Sequence, residues 1–456
     1  MYREGKGVQQ DYQVAMEWYL KAAEQGDADG QRCVGCVYNN GLGVFRDPSM
    51  AMEWYLKAAN QEDAKAQINI GILYENGDGV PKDHVQAKEW YLKAADQGLA
   101  DGFYTLGLLH KKGESRDYVQ AMDWYLKAAE QGHADAQHSI GLLHSKGQGV
   151  PRDYAQAMTW YLKAAKQGHP PSQCSIGGLY DAGQGVRQDY VEAMTWYLRA
   201  ANQGHASAQH NIGFLYSKGR GTAQDDVQAM EWFLKAANQG HSDSLYNIGF
   251  LYHNGQGVPQ DYDQAMFWYL KAADQGHAES QYSIGILYNL GLGVPPDYEQ
   301  AMTWYHKAAD QGHVKSQCRI GSLYNLGQGV PQDYDQAMFW YLKAADQGHA
   351  ESQCSIGILY DYGQGVPQDY EQAMTWYRKA ADQGHVKSQC SIGSLYNLGQ
   401  GVPQDYEQAM LWYLKAANQG DALAQFNVGS LYSLGQGVPQ DYEQAMLWFL
   451  KAANQG

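Results

Sequence analysis

HVKSQCSIGSLYNLGQGVPQDYEQAMLWYLKAANQG, residues 385–420, holds two helical patterns joined by a turn. In the first, Val386 to Leu398, the residues Ile392, Gly393, Leu395 and Tyr396 fall at i, i+1, i+3 and i+4, on one face of a 3.6-residue period. The run GQGVP, Gly399 to Pro403, is dense in residues that end helices. A second helix is expected to begin at Asp405, which makes a D-x-x-Q capping box with Gln408, and to stop at Gln419-Gly420. These are the A and B helices of one unit.

Copies of this unit fill the chain. Its 13 tryptophans recur every 36 residues from Trp18 to Trp448. The one exception is Trp90 to Trp124, where the turn around Gly113 to Asp117 lacks two residues. An indel confined to a turn leaves the helices on either side with their packing partners. A helical hairpin of this size cannot bury its own apolar face, so each copy must stack on the next. The fold expected is all-α: a right-handed α/α superhelical solenoid of about twelve 36-residue helix-turn-helix repeats. It should run as a single continuous array over residues 1–456, with a partial first repeat at 1–26. Met1-Tyr2 falls in what would be the end of an A helix, and Gly456 directly follows a B helix. With no polar capping helix at either end, the sequence reads as a segment of a longer protein.

Comparing the copies separates frame from surface. In the B helix the constant positions are Tyr406, Ala409, Met410, Trp412, Tyr413, Ala416 and Ala417. Large Trp and Tyr knobs against Gly393 and the paired alanines would bring helices to within about 8–10 Å. The tryptophan is therefore expected in the core, where burial removes about 150–250 Å² from water.

The repeated pattern AxAQxxIGxLYxxGxGVxxDYxxAMxWYxKAAxQG resembles the Sel-one-like repeat, a subclass of the tetratricopeptide-like helical repeats. In the last unit the match is carried by Gln425, Val428-Gly429, Leu431-Tyr432, Gly435, Gly437-Val438, Asp441, Ala445, Trp448 and Lys451-Ala452-Ala453. The resemblance implies an adaptor that assembles protein complexes, as family members do in endoplasmic-reticulum quality control, chitin-synthase regulation and bacterial signalling. It leaves open a regulatory arm of a larger enzyme or complex, such as a kinase or chitin-synthase regulator. A third reading is a β-lactamase-like hydrolase, a branch whose members pair a cysteine at the end of each B helix with one in the next A helix. Here that B-helix position is Ala165, Ala309 and Ala381, so such bridges cannot form.

Composition narrows the partners. The net charge is −16, and residues 229–456 carry 11 Lys/Arg against 22 Asp/Glu, while residues 1–228 carry 22 against 27. Without a basic stripe there is no counterion release to gain from phosphates, so nucleic acid is not expected as a ligand. A basic protein or peptide suits the acidic C-terminal half. No membrane span or signal peptide is readable. That, with the absence of an Asn-x-Ser/Thr sequon, leans towards the cytoplasm.

No catalytic, cofactor or metal motif is found, and no cofactor is expected. Cys174, Cys318, Cys354 and Cys390 share one A-helix position and read as small, partly buried side chains. Cys33 and Cys36 form a C-x-x-C with no second ligand pair nearby in sequence. The column His133, His169, His205, His241, His277, His313, His349 and His385 precedes A helices and reads as turn or cap residues.

The informative positions are those that vary over a constant frame. In the A helix they lie three before the glycine and one, four and five after it, one helical stripe. Early copies offer Lys111, Lys112, Lys146 and Lys218 there. The partner-binding residues expected are Asn289, Leu290, Ser322, Asn325, Leu326, Ile358, Asp361, Tyr362, Ser394, Asn397, Leu398, Ser430 and Leu434. By resemblance to tetratricopeptide-like superhelices, this stripe would line a concave groove, its amides meeting a peptide backbone and its Leu and Tyr filling side-chain pockets. Phe267, Phe339, Leu411 and Leu447, just before the B-helix tryptophan, read as tucked under neighbouring loops.

Overall fold

The computed structural model describes residues 9–112 and 116–454. The Met1-Tyr2 helix end, the centre of the shortened turn (113–115) and the final two residues lie outside them. Among the described residues are 25 helices and no strand, consecutive helices packing pairwise in tandem. The result is an all-α repeat solenoid. The chain divides into two compact units, residues 1–236 and 237–456.

The first unit alternates B helices such as Pro48–Ala59 and Tyr154–Ala165 with A helices such as Ala64–Asn76 and Pro170–Ala182. The second repeats the pattern from the A helix Ser242–Asn254 to the B helix Tyr442–Ala453. The type unit forms as its sequence dictates. Its A helix is Val386–Leu398, ended by Gly399 at φ +68°, and Gly401 at φ +67° completes the turn in a conformation that L side chains rarely adopt. Its B helix is Tyr406–Ala417, and the Asp405 side chain accepts from the Gln408 backbone N–H at 2.9 Å.

Which aromatic is the core knob differs from the expectation. Tyr413, not Trp412, is buried, and its ring lies flat on Gly393, where a Cβ would stand 2.6 Å from the tyrosine Cδ1. The same contact recurs in both units, from Gly71 with Tyr91 to Gly357 with Tyr377, with Phe233 and Phe449 as the ring in two copies. The tryptophan points about 100° further round the helix. Trp412 is half-buried, packing one face on the cluster formed by Tyr377 and Ala381 of the preceding B helix with Ile392 of its own A helix. Lys415 covers its other face, with the ammonium 3.7 Å from the ring centre. All 13 tryptophans carry a Lys or Arg in this way, Arg199 on Trp196 being the one arginine. Trp340 alone among them is buried, though less deeply than the tyrosines.

A polar seam links successive repeats within each unit. Buried Gln389 donates its amide to the Ala381 carbonyl at the end of the preceding B helix, at 3.3 Å. Its oxygen accepts from Gln419 Nε2, at the end of the following B helix, at 2.8 Å. Gln31 with Gln61, Gln173 with Gln203, and Gln317 with Gln347 repeat the link.

Gly393→Ala isolates the ring contact. Overpacking against Tyr413 is expected to destabilise its hairpin by about 1–3 kcal/mol, although Ala is about 1 kcal/mol better than Gly inside a helix. Hydrogen exchange at the amides of residues 390–396 should accelerate. Equal or greater protection would mean the ring moves aside freely.

Candidate protein-interaction surfaces

The expected stripe divides into exposed and engaged residues. Leu290, Leu326, Tyr362, Leu398 and Leu434, five after the glycine, stand 59–70% exposed in consecutive repeats of the second unit. Asn289, Ser322, Asn325, Ile358, Asp361, Ser394, Asn397 and Ser430 are half-buried beside them. Several of these polar groups serve the buried tyrosines. Tyr341 Oη donates to Ser322 Oγ at 3.3 Å, Tyr413 Oη to Ser394 Oγ at 3.1 Å, and Tyr377 Oη to Asp361 Oδ2 at 3.0 Å. Burial pushes the Asp361 carboxyl up, against the opposing effect of the Tyr377 bond. The backbone carbonyls of Asn325 and Asn397 each accept at 2.8 Å from a turn glutamine, Gln332 or Gln404. Ile358 packs on the core beneath it, and Ser430 Oγ donates to the Phe426 carbonyl at 3.0 Å.

The position three before the glycine lies deeper than the rest of the stripe. Cys318, Cys354 and Cys390 are buried and Cys174 half-buried, and all six cysteines are free thiols. In the first unit this position helps to line a groove of about 450 Å³ crossing four successive A helices. Ile68 and Tyr104 form its apolar part, with Asn69 and Thr105 beside them. Arg32 and Lys65 line one end, Asp101 and Asp135 the other. The stripe covered this groove only through its positions three before and one after the glycine; those two and six before were missed. A second recess of about 450 Å³ gathers Lys111, Lys112, Arg116 and Lys146 around Leu108, Tyr118 and Gln148. Lys112 pairs there with Glu75 at 2.8 Å.

On the B helices, Phe267, Phe339, Leu411 and Leu447 are 47–53% exposed rather than tucked under loops. The turns do not reach them. Instead Phe267 and Phe339 stand edge-on to the adjacent tryptophan, under Lys271 and Lys343 at 4.3 and 4.5 Å.

A family model for the Sel1 repeat matches the chain thirteen times, beginning with residues 1–27, 28–63, 64–99 and 104–133 and ending with 422–456. The chain belongs to the Sel1 repeat family. Among solved structures it is similar to a protective antigen of uropathogenic Escherichia coli strains that displays an SLR fold. The identity is 37% over 88% of this chain and 86% of that one, with a TM-score of 0.65. It is also similar to a Sel1 repeat protein from Oxalobacter formigenes, at 34% identity over 66% of this chain and 87% of that one, TM-score 0.54. Comparison with curated proteins gave no match. Sel1 repeat proteins are generally protein-interaction scaffolds and typically non-catalytic.

In this Sel1 array the histidine column caps the A helices, as expected from the sequence. The ring of each accepts from the backbone N–H three residues on, as His385 Nδ1 does from Ser388 at 3.3 Å. The opposite nitrogen often meets an acid of the preceding A helix. His133 reaches Asp101 and His169 reaches Asp135, both at 3.1 Å, and His313 reaches Glu279 at 2.8 Å. The His313 bond is the chief reason that Glu279 is held down at about 2.

Burial lowers the pKa of His241, His349 and His385, and takes His138 down to about 4. With folded values below the unfolded one, the unfolded chain takes up protons first as pH falls. Stability from these groups is complete above the unfolded value of about 6.5 and is lost as pH falls through the lowered folded values. Thermal melts at fixed ionic strength should therefore show a decline from about pH 7 to about pH 5. His385→Asn, a cap that does not titrate, should flatten part of it. A melting temperature constant across that range would contradict the assignment.

Proposed function

We propose that this Sel1 array is a scaffold that binds a protein or peptide partner along the A-helix face of its second unit. The observation that carries the reading is the column Leu290, Leu326, Tyr362, Leu398 and Leu434. Five consecutive repeats leave a large apolar side chain exposed at one position, whereas the frame around it buries its apolar residues. Recurrent exposed apolar groups rimmed by polar ones are the surface pattern of a docking site. The bordering Asn289, Ser322, Asn325, Asp361, Ser394, Asn397 and Ser430 supply polar groups beside the column, and Ile358 widens the apolar strip. The spacing suits a partner that follows several repeats, with its own apolar residues at intervals.

Charge selects among such partners. Residues 229–456 hold 22 acidic against 11 basic side chains, so a basic segment is attracted and an acidic one repelled. Apolar contacts then supply the affinity, and the charge chiefly the rate and the choice.

The test uses a displayed library of basic, Leu- and Phe-containing peptides, with the affinity of selected sequences measured by fluorescence polarisation. The variant L326S/Y362S/L398S should bind selected peptides at least about tenfold more weakly, since buried aromatic and aliphatic anchors carry most interface energy. Raising the salt concentration should weaken both. Undiminished binding by the triple variant would reject this face.

A further inference from the structure

The A helix Val314–Leu326 and the start of the next, Ala350–Tyr362, border a recess of about 140 Å³ lined by Tyr282, Lys315, Cys318, Arg319, His349 and Glu351. Cys318, His349 and Glu351 each offer a ligating atom, and the three atoms lie within 4.8 Å of one another. We propose that this trio binds a divalent cation of the zinc type through the Cys318 sulfur, one His349 nitrogen and one Glu351 oxygen. Thiolate, imidazole and carboxylate are the protein ligands zinc takes in tetrahedral sites, with water free to fill the fourth position. A buried sulfur ligand disfavours magnesium and calcium, which prefer oxygen throughout. The recess has room for an ion and a water.

The other repeats act as natural controls. Cys354 faces the equivalent pair His385 and Lys387, Cys174 faces His205 and Ser207, and Cys390 faces Asp421 and Leu423. Of the four copies with a cysteine at this position, only that of Cys318 completes a thiol, an imidazole and a carboxylate. One of the two cations in the recess is already paired, and the other lies against a phenol. Lys315 Nζ lies 3.4 Å from Glu279, and Arg319 lines the recess beside Tyr282.

Binding replaces the thiol proton of Cys318, which leaves to solvent. It also ends the present cap of the A helix, in which His349 Nδ1 accepts from the Ser352 backbone N–H at 3.3 Å. If Nδ1 ligates, its lone pair goes to the metal. If Nε2 ligates, the ring proton moves to Nδ1, where Ser352 Oγ at 2.9 Å accepts it. Either way the ion ties two successive repeats together across the A-helix face.

Cobalt(II) is the probe, added to the reduced full chain with Cys33 and Cys36 changed to Ser so that the C-x-x-C does not compete. One equivalent should bind with a thiolate-to-cobalt charge-transfer band and raise the melting temperature. C318S should abolish the band, and E351K, which installs the residue found one repeat later, should weaken binding at least tenfold. K387E should raise the stoichiometry from one to two by completing a site with Cys354 and His385. Glu351 and Lys387 are exposed, so neither change threatens folding. Absence of the band, or a band that survives C318S, overturns the site; a stoichiometry that stays at one in K387E overturns the carboxylate as third ligand.

Discussion

A tyrosine ring resting on a bare glycine sets the separation of the two helices in each hairpin. Tyr413 on Gly393 is the type case, and the alanines Ala409, Ala416 and Ala417, all buried, keep the rest of the interface equally shallow. Once the helices are that close, little of the B helix remains free for other large groups. The tryptophan is turned outward onto the preceding repeat, where it needs a cover on its far side, and the lysine one turn on supplies it. Spacing within a hairpin and stacking between hairpins thus follow from one steric choice.

Burying so many tyrosines brings a hydroxyl into the interior with each of them, and every such group requires a partner. In several repeats a polar side chain of the neighbouring A helix meets this, while the hydroxyls of Tyr125 and Tyr305 go without a partner among the described residues. Tyr91 donates to Glu75, Tyr161 to Ser145, Tyr377 to Asp361 and Tyr413 to Ser394. Because a carboxylate and a hydroxyl all serve, the position can vary without loss of packing. Variation at a site and freedom to meet a partner are therefore different properties.

This accounts for what the sequence could and could not disclose. The A-helix limits and the B-helix cap were legible to the residue in the type unit because glycine, aspartate and the apolar period change together at Leu398 and Asp405, whereas the B helix ends at Ala417, short of the Gln419-Gly420 expected. The choice between Trp412 and Tyr413 was not legible, since both positions are aromatic in every copy and adjacent in the chain; constancy reports constraint, not direction. Within the stripe, Leu326 and Leu398 are the free residues, whereas Ser322 and Ser394 answer to a tyrosine that lies a turn and a helix away. Cys318, His349 and Glu351 were invisible as a group because a whole repeat separates the first from the others, and only stacking brings them together.

The glutamine seam has a sense of direction. Each buried amide sends its N–H backward, to the B helix of the repeat before, and offers its oxygen to the B helix of its own hairpin. Peeling away a following hairpin removes one of two donors to a B-helix carbonyl, since Ala417 accepts from Gly420 N–H at 3.0 Å as well as from Gln425, whereas peeling away a preceding one strands an N–H, the costlier group to leave unpaired. Within each unit, fraying is thus easier from the C-terminal side, and the array behaves as a ratcheted stack rather than a symmetric one.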